Sequence, residues 1–308
     1  PSDPWVSKPE FLLETLVSSF EKRRSQRQAI NAMPLYPNED VLWDENVVPS
    51  VDYTGETCLA LPKLNLQFLT FHDYLLRNFN LFRLEATYEI REDIADVLKR
   101  MAPRRGEDGA STRFTGWSRM AVPVEPGALA VTEVKAARVG ENKPASVRCE
   151  VRVNLGALRG PAREEWDELK QHDVVFLLRA DGGDGAAAGG ASPAERFGLR
   201  RARGAEVVEV RDGEGTLLND FRARAPDGHA PDAPSGYERT FVLELDAAQY
   251  QLDVDRSAAE GDVYSSLNVL MRRRPKENNF KSILECIRDL MNADAPVPDW
   301  LHDVFLGY

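Results

Sequence analysis

Along Thr70–Met101 (TFHDYLLRNFNLFRLEATYEIREDIADVLKRM) apolar positions recur at helical spacing, with no Pro or Gly to interrupt them. Ile90, Ile94, Val97 and Met101 form one stripe, and Leu81, Leu84 and Tyr88 continue it toward the start. Thr70 with Asp73 three residues on makes a capping box, and Pro103 stops the run. The pattern predicts a helix of about 45 Å at 1.5 Å per residue, a strut that carries one unit away from another. Its lower part (Leu75, Leu76, Phe79, Leu81, Phe82) is apolar on more than one side, which predicts burial in a larger body.

Ahead of the strut, Pro9 to about Met33 reads as a helix with Phe11, Leu12, Leu16, Val17 and Phe20 on one face. Its far end is basic (Lys22, Arg23, Arg24, Arg27), where cations suit the helix dipole. In MPLYPNEDVLWDENVVPS, Pro34, Pro37 and Pro49 interleave with Tyr36, Val41, Leu42 and Trp43. The prolines argue against regular helix and the aromatics against a free linker, so the segment reads as an extended strap packed on something.

Between Gly116 and Asp246 the period changes. SVRCEVRVNL alternates, with Val147, Cys149, Val151, Val153 and Leu155 on one face and Arg148, Glu150, Arg152 and Asn154 on the other. Trp117–Val122, Ala128–Val134, Val174–Leu178, Ala205–Val210 and Thr240–Leu245 are further strands, with a short helix over Pro161–Gln171. Short strands with turn signals and one helix suit a small closed barrel. Asp181–Pro193 and residues 221–236 are low in apolar content and read as loops. Asp262–Met271 and Asn279–Asn292 read as helices; the second carries Phe280, Ile283, Leu284, Ile287, Leu290 and Met291 at helical spacing and is expected to lie antiparallel on the strut. VPDWLHDVFLGY closes the chain as a Pro-set turn and an apolar anchor.

The expected fold class is α+β: a small β-barrel inserted on a two-helix antiparallel stalk, preceded by a helix and an extended Pro-rich strap. The expected units are 1–64 (helix and strap), 65–103 (first stalk helix), 104–255 (barrel) and 256–308 (second stalk helices and lead-in to a further domain).

Composition changes this picture in two places. The 308 residues are 43% hydrophobic and 29% charged, the balance of a globular protein, and no stretch approaches the ~20 apolar residues that cross a membrane. A net charge of −11 argues against a dedicated nucleic-acid domain, although local basic clusters still act within a screening length. Cys58, Cys149 and Cys286 are odd in number and far apart, which suggests buried thiols in a reducing compartment. Pro1 is no initiator, so the chain reads as a piece of a longer protein.

Catalytic patterns are mostly missing. There is no phosphate-binding G-x-x-x-x-G-K-[ST] loop. His72, His172, His229 and His302 are scattered, and the carboxylate pairs (Glu164/Glu165, Glu92/Asp93, Asp44/Glu45) read as solvated faces. The chain is therefore expected to be inactive alone, with no catalytic residue, metal ligand or cofactor of its own. The basic residues are more suggestive. Lys99, Arg100, Arg104 and Arg105 stand where the chain enters the barrel, and Arg272, Arg273, Arg274 and Lys276 where it leaves. If the stalk helices pair, these clusters meet as a collar at the barrel's root. With Arg113, Arg119 and the Arg200, Arg201, Arg203 run, they would make a groove for an RNA backbone. The alternative is that they are hydrated helix ends, and that the barrel is a protein-interaction scaffold without direct RNA contact.

Four runs carry a family resemblance: Cys58–Ile94, Met33–Pro49, Arg273–Asn292 and the closing VPDWLHDVFLGY. They resemble the Aquarius family of intron-binding spliceosomal RNA helicases, in the Upf1-like superfamily 1 group. The resemblance implies an armadillo-like helical region before this segment, then stalk and barrel, then two RecA-like motor domains that hold ATP and Mg. It implies intron RNA in pre-mRNA, spliceosome proteins of an intron-binding complex and the protein's own motor domains as partners, in the nucleus, with no membrane. No catalytic residue carries over, because the ATP-site motifs have no matching positions here.

Overall fold

The computed structural model describes residues 26–44, 48, 68, 70–106, 111–183, 193–218, 234–273, 280–293 and 297–307. The helix expected before Gln26, the strap beyond Asp44 apart from Val48, Arg274, Lys276 and most of both low-complexity loops lie outside them.

Two short helices, α1 (Gln26–Ala32) and α2 (Glu39–Leu42), precede the 31-residue helix α3 (Phe71–Met101). The capping box forms as read: the Thr70 hydroxyl accepts from the Asp73 amide at 3.1 Å and donates to the Asp73 carboxylate at 2.9 Å. Ala102 ends the helix in the left-handed region, its amide reaching back to the Leu98 carbonyl. Ile90, Ile94, Val97, Leu98 and Met101 are buried, whereas Leu81, expected on the same stripe, is 38% exposed.

A two-stranded ribbon follows, β1 (Pro103–Arg105) against β2 (Thr112–Phe114). It closes the strut: the Gly116 amide donates to the Met101 carbonyl at 3.0 Å and the Thr115 hydroxyl to that of Ala102 at 3.1 Å. A Cβ on Gly116 would stand 2.0 Å from the Arg100 carbonyl oxygen, so only glycine lets the chain pass there.

The large sheet is antiparallel throughout and comprises β3 (Ala121–Pro123), β4 (Leu129–Ala137), β5 (Pro144–Asn154), β6 (Val174–Ala180), β7 (Leu199–Asp212), β8 (Leu217–Leu218), β9 (Glu238–Leu245) and β10 (Val269–Arg272). Its order is β3-β10-β6-β7-β9-β5-β4, with β8 paired on β7. The two edge strands are consecutive in the chain, joined by Val124–Ala128. Among the described residues no ladder joins β3 to β4, so the sheet is not the closed barrel the sequence suggested: its order is open at these two edges. Val147, Cys149, Val151 and Val153 fill the interior as the alternation predicts. Burial pushes the Cys149 thiol up to about 12, with Glu150 adding to it. One end is plugged by α4 (Pro161–Asp167): the Trp166 indole donates to the Arg119 carbonyl at 3.0 Å and meets Phe241 edge-on.

Strands β6 and β10 are covered on both faces. Val175, Leu177 and Leu270 point into the barrel, while Val174, Phe176, Leu178, Val269 and Met271 join the stalk core. That second core collects α3, α7 (Phe280–Asn292) and the strap, beside α5 (Pro193–Phe197). Helix α6 (Ala247–Glu260) is capped by Asp246, and α8 (Asp299–Leu306) ends the chain. Arg273 pairs with Asp93 near the top of α3, and at its foot His302 of α8 stacks on Phe71 while Phe305 meets it edge-on. The returning chain, α7 included, therefore runs down the strut, which is the antiparallel stalk expected.

Three readings need correction. Asp262–Met271 is not a helix but a 3-10 turn (Tyr264–Ser266) leading into β10. A strand buried on both faces shows no alternation, and the run Val269-Leu270-Met271 is ambiguous by period alone. The barrel accordingly extends past residue 255 to Arg272. The strap is not fully extended: between its prolines it makes the one-turn α2, and it packs on this chain. Tyr36 meets Phe176 and Phe280 edge-on at 6.1 and 5.7 Å. Its ring fills the space a side chain would need at Gly204, where a Cβ would stand 2.3 Å from the tyrosine.

Candidate nucleic-acid interface

Strand alternation decides the fate of the trailing arginines. Successive residues of β10 point to opposite faces. Arg272, 6% exposed, turns toward the barrel end and pairs with Glu165 of α4, which Arg119 also holds. Arg273, fully buried, turns toward the stalk, where it reaches Asp93 at 3.1 Å and Glu89 at 3.5 Å, with Phe280 below its guanidinium at 5.8 Å. Both arginines expected in an RNA collar are thus enclosed and paired, one fastening the barrel's plug and the other fastening barrel to strut. A guanidinium placed so has no open face for a phosphate.

The Arg200, Arg201, Arg203 run divides similarly. Arg203, 3% exposed, donates to both oxygens of Asp253 at 2.7 Å and to Glu39 of the strap at 2.5 Å. Burial disfavours its charge, but the hydrogen bonds it donates to Asp253 and Glu39 outweigh that and hold its pKa above the usual arginine value. Burial also raises the Glu39 carboxyl, yet the Arg203 hydrogen bond and charge bring it below its ordinary value. Arg201 reaches Glu39 at 3.0 Å. Arg200 stays exposed, 3.3 Å from Asp181, which Arg179 also engages at 2.8 Å.

The leading cluster has the opposite character. Lys99 and Arg100 are exposed in the last turn of α3, Arg100 bound to Asp96 one turn back at 2.7 Å. In the ribbon Arg104 lies directly opposite Arg113, both exposed, so the two cations share one ribbon face. Like charges placed opposite one another on a two-stranded ribbon repel, and an anion between them would relieve this. The ribbon is seated on glycines: a Cβ on Gly182 would lie 2.5 Å from the Arg104 carbonyl carbon and from the Arg105 amide nitrogen. Gly183 lies as closely against the Arg196 carbonyl. That packing seats the ribbon on the segment that follows β6, a contact no sequence spacing announces because it joins distant parts of the chain. Arg274 and Lys276 lie outside the described residues.

Among the described residues no His, Cys, Asp and Glu side chains gather as a metal site, and no helix is long and apolar enough to cross a membrane. His172 faces Glu206 at 2.5 Å, and His302 stacks on Phe71; neither meets a nucleophile.

Residues 102–273, from the cap of α3 to the last residue of the barrel, match the family model described as the β-barrel of intron-binding protein aquarius. Over 304 residues the chain is 51% identical to the RNA helicase aquarius of Mus musculus. The match takes in 97% of this chain and 20% of the mouse protein, so the chain spans about a fifth of that relative's length. With the whole barrel and more than half of its residues matched, the chain belongs to the Aquarius family of intron-binding proteins.

Proposed function

We propose that this chain is the stalk-and-barrel accessory module of an Aquarius-like ATP-dependent RNA helicase that binds intron RNA during pre-mRNA splicing in the nucleus. ATP and Mg act in motor domains outside this segment, and spliceosome proteins are its further partners. The RNA backbone is met at the ribbon by Lys99, Arg100, Arg104 and Arg105, with Arg113 opposite. The observation that carries this reading is the exposed Arg104–Arg113 pair, a fixed cationic face at the tip of a rigid strut. Arg272 and Arg273 serve it indirectly, by making barrel and strut one lever. A protein-docking scaffold is the second reading, favoured by the net charge of −11 and by the enclosure of those two arginines.

Replacing Arg104 and Arg113 together with Glu in the full-length protein separates the two. Binding of labelled single-stranded RNA is measured between about 50 and 200 mM salt, where each lost phosphate contact lowers the log–log slope by about 0.7. The expected result is a flatter slope and weaker binding, with the thermal unfolding midpoint retained. An unchanged slope leaves the scaffold reading in place.

A further inference from the structure

We propose that β4 is a docking edge for an extended, basic segment of a partner protein, which adds to the barrel as a further strand and places one cationic side chain in a pocket beside Asp262. This surface is separate from the arginine ribbon, and the inference does not depend on RNA binding there.

The backbone supplies the first half of the argument. The Arg152 amide donates to the Ala128 carbonyl at 2.9 Å, which sets which residues of β4 and β5 face each other. Alternation, carried through the bulge between Val131 and Glu133, then turns the amide and carbonyl groups of Leu129, Val131, Val134 and Ala136 away from β5. None of these outward groups has a hydrogen-bond partner among the described residues. The strand is nine residues long and exposed over most of that length, with Val134 48% accessible. Short edges, prolines, inward charges, bulges and edge lysines normally blunt such an edge, and β4 has two of these, the bulge at Val131/Glu133 and Lys135. Here it carries no proline, and its one acid and one lysine, Glu133 and Lys135, lie 3.9 Å apart.

The second half is a cavity of about 400 Å³ at the start of the same strand, between Leu129–Val131, α6 and the 3-10 turn. Its size falls in the range of ligand pockets. Tyr250 and Tyr264 form an aromatic wall, their centroids 5.4 Å apart. Of the two carboxylates at this pocket, Asp253 is already saturated by Arg203, Gln249 and the Tyr264 hydroxyl. Asp262 is exposed, accepts only the amides of Tyr264 and Ser265 (3.1 and 3.2 Å), and has no cationic partner among the described residues. An unneutralised carboxylate next to tyrosine rings suits a guanidinium or ammonium group. It repels the phosphates of RNA and the side chains of an acidic peptide. Strand addition supplies affinity through the main chain, and the pocket supplies the choice of side chain.

The test uses the full-length protein and a fluorescein-labelled peptide of about ten alternating valines and threonines, enough to span β4, with one terminal arginine. A second peptide carries glutamate in place of the arginine. The arginine peptide is expected to bind at least about tenfold more tightly than its glutamate counterpart. Val134→Pro removes an outward amide without touching the β4–β5 ladder, and should abolish binding of both peptides. Asp262→Asn removes the charge while keeping one of the turn's two acceptor oxygens, and should bring the two peptides to within about threefold of each other. If the proline variant unfolds, hydrogen exchange in the wild-type protein decides: the arginine peptide should slow exchange of the Val134 and Ala136 amides. Equal binding by the folded proline variant, preference for the glutamate peptide, or unchanged exchange at those amides would overturn the proposal.

Discussion

Two arginine clusters flank the barrel, alike in composition and opposite in use. Lys99, Arg100, Arg104 and Arg113 stand in solvent, whereas Arg272 and Arg273 are enclosed and matched to carboxylates. The difference comes from what surrounds the backbone. Arg104 and Arg113 belong to a two-stranded ribbon with one face free. Arg272 ends, and Arg273 directly follows, a strand that has neighbours on both edges and cores on both faces. A charge held in such a strand is removed from water in either direction, and it survives only where a carboxylate waits on each side. Glu165 meets one arginine and Asp93 the other. Basic runs in a sequence thus divide into exposed faces and internal clamps, and the division follows sheet position.

The sharpest way to break the comparison is Arg273→Ala. Removing the buried guanidinium leaves a gap beside Phe280 and takes the partner from Asp93 and Glu89, which keep 21% and 52% of their side-chain surface exposed, a change expected to cost about 1–3 kcal/mol. Thermal or urea unfolding of the protein should show that loss. The salt slope of RNA binding at the intact ribbon should stay as in the wild type. A flattened slope with unchanged stability would instead place Arg273 on the RNA path.

A middle case is Glu39, which ties the strap to Arg203 and Arg201. Its folded pKa lies below the ordinary value, so the carboxylate's contribution is full above the unfolded pKa and is lost as pH falls through the folded one. The strap should therefore loosen at acid pH. Hydrogen exchange at Leu35 and Tyr36, whose amides donate to Asp246 at 2.7 and 3.4 Å, would report it. Glu39→Gln should flatten that acid dependence and weaken the strap at neutral pH. An unaltered profile in the variant would mean that another carboxylate, Asp246 first among them, governs the strap.

What could be read in advance follows the same division. The strut, its cap, the alternating β5 and the apolar face of α7 were legible because each has one buried side and one wet side, which is what periodicity records. Strand β10 was not, since burial on both faces erases the period. The ribbon was hidden for a different cause: strands of three residues have no pattern to show. At the candidate site Arg104 and Arg113 stood in the reading as charges, but their opposition across a ladder is a matter of register. Asp262 and the open edge of β4 were equally out of reach, because an unpaired strand edge is a property of sheet order.

Arg100→Ala tests the solvent end of the comparison and should do the least. Its partner Asp96 sits one helical turn away, and the two side chains are 61% and 49% exposed. Water screens such a pair, so it adds little to stability. Arg100 also stands in the last turn of α3, where a cation favours the helix dipole, an effect that salt screens as well. The variant's unfolding midpoint should therefore barely move, and most of any difference should vanish in about 1 M salt, where the screening length falls to ~3 Å. A loss that persisted in high salt would show Arg100 to be packed like Arg273, and the contrast between the two clusters would fail at its most exposed member.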